Sequence, residues 1–130
     1  MTGATISADD HLTILNLVSR ADDYATARDV DGYLGLFTED AAIGGTEGDF
    51  RGAADLGAGV RSVWAKEPTG THHLSCTVSV AATDRETATA EFTLLLVAGT
   101  PPTIVDLVRV KQGFARTPAG WRITSREIAR

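Results

Sequence analysis

Three side chain types in this sequence are suited to proton transfer: an imidazole, a carboxylate and a phenol. The candidates are His72, Asp29 and Tyr24. A histidine titrates near neutral pH and can act as a general base, and a neighbouring carboxylate can orient its ring. A phenol can donate a hydrogen bond to a substrate oxygen. We therefore ask whether the folded chain can bring these three groups into one pocket.

Two adjacent histidines, His72 and His73, precede a strand in which apolar and polar residues alternate. Neighbouring strand residues point to opposite faces of a sheet. His72 shares its parity with the apolar series Leu74, Cys76, Val78 and Val80. The pattern therefore predicts that His72 faces the interior and that His73 faces away. A buried structural histidine is the alternative interpretation of His72.

Tyr24 and Asp29 lie at the end of the first predicted helix. The apolar stripe from Ile14 to Ala25, continued at about 100° per residue, extends to include Asp29. Tyr24 and Asp29 then lie on the two opposite flanks of this stripe. Both side chains would then face the interior if the helix persists that far. The alternatives are an amphipathic core role for Tyr24 and a cap of the next helix for Asp29.

Further residues are candidates for contacting a ligand. Trp64 lies one turn from the end of the third helix and is expected to close a wall or the mouth of the pocket. Asp106 and Gln112 share a strand face with valines, so either could be a polar group inside the pocket. Cys76 follows His72 on the same predicted face, and core packing is its alternative role.

The elements that would position these groups follow from periodicity and turn residues. Three helices come before most of the strands, and the last four strands are joined by short turns. This order predicts one α+β domain over residues 1–130, with three N-terminal helices on a strongly curved antiparallel sheet that forms a cone with an apolar interior. The predicted helices are Ala8–Arg28, Val30–Phe37 and Ala53–Lys66, and the predicted strands include Asp40–Gly45, Thr87–Val97, Thr103–Arg116 and Trp121–Ile128.

Composition excludes several classes of function. The net charge of −5 argues against nucleic-acid binding. The polar start Met1–Ala8 predicts no signal peptide, and no apolar run is long enough for a membrane span. With a single cysteine, these features predict a cytoplasmic protein. Two adjacent strand histidines cannot share a metal, and no glycine-rich phosphate loop is present, so no metal or organic cofactor is expected.

Three segments resemble the SnoaL-like branch of the NTF2-like superfamily, which includes proteins similar to scytalone dehydratase, polyketide cyclases and ketosteroid isomerase. They are Tyr24–Ala41, Thr71–Cys76 and Gly113–Ile123. The resemblance implies the cone fold, with His72 as the working histidine. The chain departs from the family pattern at Cys76, where an asparagine is common. Arg126 matches a family position at which a guanidinium handles a leaving group or an anionic intermediate, and a solvated edge-strand arginine is the alternative.

The resemblance implies two classes of function. One is a cofactor-independent lyase or isomerase in which a His–Asp pair acts as general base in dehydration, elimination or double-bond isomerisation. Its substrate would be a mostly apolar ring compound, such as a polyketide or a steroid-like molecule. The other is a non-catalytic module for small-molecule binding or dimerisation. An open pocket containing the histidine and the aspartate would favour the enzyme.

Apolar residues occupy both faces of Phe92–Val97 and Thr103–Phe114. The helices can cover only one face of the sheet, and a large exposed apolar face is unusual in a monomer. The sequence therefore predicts a homodimer formed through the exposed face of the sheet.

Overall fold

The structure, a computed structural model, describes residues 5–130, so part of the segment on which we predicted the absence of a signal peptide lies outside that range. The first helix, α1, spans Ala8–Ala27. It begins there because the Ser7 hydroxyl accepts the Asp10 N–H at 3.0 Å, a standard N-cap. It ends because Arg28 adopts a left-handed conformation with φ of 60°. Its buried stripe contains Ile14, Leu17, Val18, Ala21 and Ala25.

The other two helices are shorter. Helix α2 spans Val30–Leu34 and α3 spans Ala53–Ala65. The predicted extension of the second helix to Phe37 is wrong, because Phe37 is already the first residue of a strand. Asp29 caps α2, since its carboxylate accepts the Gly32 N–H at 2.9 Å. Within the described range, no helix has the length and apolarity needed to cross a bilayer.

Six strands form one sheet, in the order β2-β1-β6-β5-β4-β3. All neighbouring pairs are antiparallel except β1 and β6, which are parallel, so the predicted antiparallel sheet is mixed at one junction. The α+β class and the N-terminal helices packed on a curved sheet are confirmed. The strands are β1 Phe37–Gly45, β2 Phe50–Arg51, β3 His72–Ala82, β4 Thr87–Ala98, β5 Thr103–Thr117 and β6 Gly120–Ala129.

A β-bulge in β3 reverses which of its residues face the core. His73 lies opposite Leu96 and Ser75 opposite Leu94, whereas beyond the bulge Val80 lies opposite Ala90. The register shift falls between Cys76 and Ser79, where Thr77 has a positive φ of 54°. An extra residue in one strand moves every following side chain to the other face. Before the bulge, the odd-numbered residues therefore face inward, and His72 faces outward.

The helices cover the concave face of the sheet and enclose the core. Buried core residues come from all three helices and from the inward rows of the strands, and they include Ile14, Tyr33, Leu56, Trp64, Phe92, Val110, Phe114 and Ile123. On the convex face, neighbouring strands align apolar side chains that none of the helices α1 to α3 covers. We call this set the outer patch: Leu74, Leu95, Val97, Ile104 and Leu107.

Candidate active site

A cavity of about 220 Å³ lies between the helices and the concave face of the sheet. Its walls are mostly apolar and include Val60, Leu94 and Val108. The loop between β1 and β2 contributes Thr46, Glu47 and Gly48, all exposed, so this side forms the mouth. A mostly apolar cavity with a few convergent polar groups is the usual form of a small-molecule site.

His73 is the histidine in this cavity, and it is 8% exposed. Its Nε2 lies 2.9 Å from Oε1 of Glu67, a carboxylate that also accepts from the Arg28 guanidinium at 2.9 Å. A carboxylate can only accept a hydrogen bond, so Nε2 carries the proton and Nδ1 is the basic nitrogen of the neutral ring. The indole of Trp64 lies against the imidazole edge, with 6.4 Å between ring centroids. The ring is therefore fixed in both orientation and tautomer.

Asp22 is a second acid–base group in the cavity wall, on α1. Its two carboxylate oxygens accept the backbone N–H and the hydroxyl of Ser75, at 2.9 and 3.0 Å. Burial raises the pKa of the Asp22 carboxyl above its usual range, while the Ser75 hydrogen bonds and the charges of Arg126 and His73 oppose that rise. Asp22 thus holds its proton more tightly than an ordinary aspartate.

Arg126 and Tyr33 add a cation and a phenol. Arg126 is 6% exposed, and its guanidinium lies 5.7 Å from the Phe92 ring centroid. It donates a hydrogen bond to Oε1 of the buried Gln112. Tyr33 packs edge-on against Trp64 at 5.1 Å, and burial raises the pKa of its hydroxyl. Both residues can stabilise negative charge on a ligand oxygen.

Four of the residues selected from the sequence lie in or beside this cavity. Arg126, Trp64 and Asp106 line it, and Gln112 supports Arg126 from behind. Asp106 is also paired with Arg130 at 2.7 Å. The inward position of Arg126 follows from its register opposite Gln112 on β5.

The other four selected residues lie elsewhere. His72 and Cys76 are exposed, because the bulge in β3 turns them to the convex face. Asp29 is exposed as the cap of α2, because α1 ends two residues before it. Tyr24 is absent from the cavity wall, and its hydroxyl accepts from Arg20 at 2.9 Å. The predicted pairing of His72 with Asp29 inside the pocket is therefore wrong.

Sequence reasoning missed Asp22, Tyr33, Glu67 and His73. Asp22 had a signal, because it adjoins Ala21 and lies three residues before Ala25 on the buried stripe of α1. Tyr33 follows the cap of a helix too short to show periodicity. Glu67 comes after α3, where no regular pattern predicts a direction. His73 could not be chosen without knowledge of the bulge.

Possible metal ligands are scattered in the fold. Among residues 5–130, no group of three or more His, Cys, Asp or Glu side chains is arranged to hold a metal ion.

Several solved structures share this fold over nearly their full length, whereas no curated protein matches the sequence. A protein of unknown function with a cystatin-like fold from Nostoc punctiforme is 25% identical, with a TM-score of 0.87 over 98% of this chain and 93% of that chain. An NTF2-like protein with a cystatin-like fold from Novosphingobium aromaticivorans is also 25% identical, with a TM-score of 0.81 over 93% of this chain and 81% of that chain.

A more distant structure, that of Aln2 from a Streptomyces species, is 16% identical, with a TM-score of 0.84 over 95% of this chain and 92% of that chain, and it shows likeness of fold alone. The SnoaL-like domain model matches residues 7–127, which is nearly the whole chain. The protein therefore belongs to the SnoaL-like domain family.

Proposed function

We propose that the protein is a cofactor-independent lyase or isomerase that transfers a proton on a mostly apolar ring compound. His73 takes the role first assigned from the sequence to His72, and Glu67 takes the orienting role assigned to Asp29. Asp22 adds an acid that the sequence analysis did not identify. The observation that carries the proposal is the presence of two acid–base groups in one mostly apolar cavity. Titratable pairs with different environments commonly divide the acid and base roles in such sites.

His73 is the proposed base. Glu67 holds Nε2–H at 2.9 Å and stabilises the imidazolium that forms when the ring accepts a proton. The basic Nδ1 then removes a proton from a carbon next to a substrate carbonyl. The electron pair moves onto the carbonyl oxygen, where Arg126 or Tyr33 stabilises the enolate. Glu67 is a positioning residue in this scheme, because it acts through His73.

Asp22 is the proposed acid. Its raised pKa favours the protonated form compared with an ordinary aspartate. In an isomerisation it would return a proton to another carbon of the enolate. In a dehydration it would protonate the departing hydroxyl, so that water leaves as the new double bond forms. Each sequence transfers one proton from the substrate to His73 and one from Asp22 to the product or leaving group. Exchange of protons with solvent at the mouth then deprotonates His73 and reprotonates Asp22, so the cycle closes without an oxidant or reductant.

Cavity volume limits the substrate. A cavity of about 150 Å³ accepts benzene, so about 220 Å³ accommodates one or two rings. A four-ring steroid-like molecule exceeds this enclosed space, so the structure favours the smaller members of the predicted substrate class. Larger molecules could enter only with part of their length in the mouth.

Deuterium incorporation tests the proposal without knowledge of the product. Small ring ketones such as 2-tetralone would be incubated with the protein in deuterated buffer, and exchange at carbons next to the carbonyl would be followed by NMR. We expect His73→Gln to lower the exchange rate by about 10²–10⁴-fold. His72→Gln is the matched control, because that neighbour is exposed. Binding of the ketones without catalysed exchange would instead support the non-catalytic binding module.

A further inference from the structure

Arg126 is a buried cation whose hydrogen-bond partner is uncharged. Its guanidinium lines the cavity, and the residue is 6% exposed. Its hydrogen bond goes to Gln112, a neutral amide. Within residues 5–130, no carboxylate lies within salt-bridge distance of it. Burying an unpaired charge is strongly unfavourable, so buried guanidinium groups are usually paired or bind a ligand.

The other charged groups described in the cavity wall are bound to other partners or exposed to solvent. Glu67 and Asp106 are each paired with another arginine, at 2.9 and 2.7 Å. The Asp22 carboxylate is bound by the backbone N–H and hydroxyl of Ser75 and forms no ion pair with Arg126. Lys66 and Glu47 also line the cavity, but both are exposed and their charges are opposite. The enclosed part of the cavity is therefore suited to a ligand that brings its own negative charge.

We infer that the cavity binds a small acidic ring compound whose ionised oxygen, from a carboxylate or an acidic enol, is held by Arg126. The inference rests on the proposed function and deepens it, because it names the substrate class of the same cavity. Guanidinium matches the planar geometry of a carboxylate or enolate and forms strong, charge-assisted hydrogen bonds with it. The ring of the ligand would occupy the apolar space between Trp64 and Leu94, both of which line the cavity.

Matched pairs of probes test the inference by binding alone. The carboxylate pair is 2-naphthoate and 2-naphthamide, and the enol pair is 2-hydroxy-1,4-naphthoquinone, ionised at neutral pH, and its neutral 2-methoxy derivative. Isothermal calorimetry at neutral pH gives the four affinities. We expect the anion of at least one pair to bind about tenfold or more tightly than its neutral partner. The pair that shows the preference identifies the source of the oxygen.

Variants then locate the preference. Arg126→Gln should bring the ratio of the anionic to the neutral probe's affinity to about one, whereas Arg126→Lys should retain part of the preference for the anion. Arg122→Gln is the control, because Arg122 is on the same strand but does not line the cavity. The thermal transition of each variant checks its folding. Should Arg126→Gln fail to fold, the wild-type ratios still decide the question.

Two outcomes overturn the inference: equal binding of the charged and neutral members in both pairs, or no binding of any probe. A preference that survives in folded Arg126→Gln also overturns it. None of these results depends on catalysis. Conversely, absence of deuterium exchange would contradict the proposed function while leaving the anion preference intact, so the two failures are distinguishable.

Discussion

Replacing Asp22 by asparagine separates the acid–base role of this carboxyl from its structural role. The carboxylate accepts two hydrogen bonds from Ser75, on edge strand β3. Asparagine can retain both, because its carbonyl accepts the backbone N–H and its amide donates to the Ser75 hydroxyl. Alanine retains neither. The asparagine variant therefore keeps the fold and loses the titrating group.

The expected magnitudes follow from these contacts. Exchanging a charged acceptor for a neutral one weakens a hydrogen bond by about 1 kcal/mol, and removing a buried carboxylate offsets part of that loss. We expect Asp22→Asn to change the free energy of unfolding by less than about 1 kcal/mol at neutral pH. Asp22→Ala should cost about 1–3 kcal/mol, toward the lower end because Ser75 is half-buried and water can reach it.

The pH dependence of stability has a definite sign. The folded state keeps the Asp22 proton to a higher pH than the unfolded chain, whose carboxyl has the ordinary pKa of 3.8. Folding is therefore favoured by this group at low pH, and the contribution is lost as pH rises from about 3.8 through the raised folded pKa. Asp22→Asn should remove that decrease in stability, whereas Asp23→Asn, at an exposed neighbour, should not.

Urea unfolding between pH 4 and 8 measures both effects. Isomerisation of 3-cyclohexen-1-one to its conjugated isomer measures the acid step, because it needs a proton delivered to a second carbon. We expect Asp22→Asn to lower this isomerisation rate by about 10²–10⁴-fold while the urea midpoint at neutral pH changes little. If asparagine destabilises the fold as much as alanine, the negative charge itself holds β3 and our reasoning about the hydrogen bonds is refuted. Full activity in Asp22→Asn would refute the acid role.

Three other predictions concern the rest of the molecule. Gly59→Ala should destabilise the fold by about 1–3 kcal/mol in urea unfolding, because the added Cβ atom would lie 2.5 Å from the Phe50 ring. An unchanged urea midpoint would mean that the Phe50 ring moves freely aside and would contradict this prediction. We propose that the outer patch, which includes Leu107 at 52% exposure, forms a homodimer interface. Light scattering should show a dimer for the wild type and the 13.7 kDa monomer for Leu107→Glu. A monomeric wild type would contradict this proposal. The Arg116 guanidinium beside Asp10 lowers the pKa of that carboxyl to about 2. The stabilisation of the fold by ionised Asp10 is therefore present above the ordinary pKa of 3.8 and lost as pH falls through about 2. Acid unfolding of Asp10→Asn should lack this loss of stability, and an acid transition unchanged from the wild type would refute the prediction.

The local elements could be read from the sequence because their causes are local. Ser7 and the two aspartates after it predict the start of α1, and the structure places the helix start at Ala8. Alternation and turn residues predicted β4, β5 and β6 to within a residue or two at each end. The pairing of β1 with β6 was not predicted, because parallel neighbours distant in the chain leave no short-range pattern.

For the candidate site too, some features follow from the sequence and others only from the tertiary structure. The sequence by itself determined that a histidine and carboxyl groups would be available to an apolar cone, and it identified Arg126 as a candidate, because side chain chemistry and strand periodicity are properties of short segments. Only the tertiary structure decided which histidine and which carboxyl groups enter the cavity. His73 replaces His72 because a single bulge at Thr77 inverts the parity of β3. Glu67 replaces Asp29 as the partner of the imidazole, because α1 ends at Ala27 and leaves Asp29 as the exposed cap of α2. Both choices depend on how β3 and α1 fit their neighbours, and that fit is set by packing across the whole sheet rather than by either segment alone.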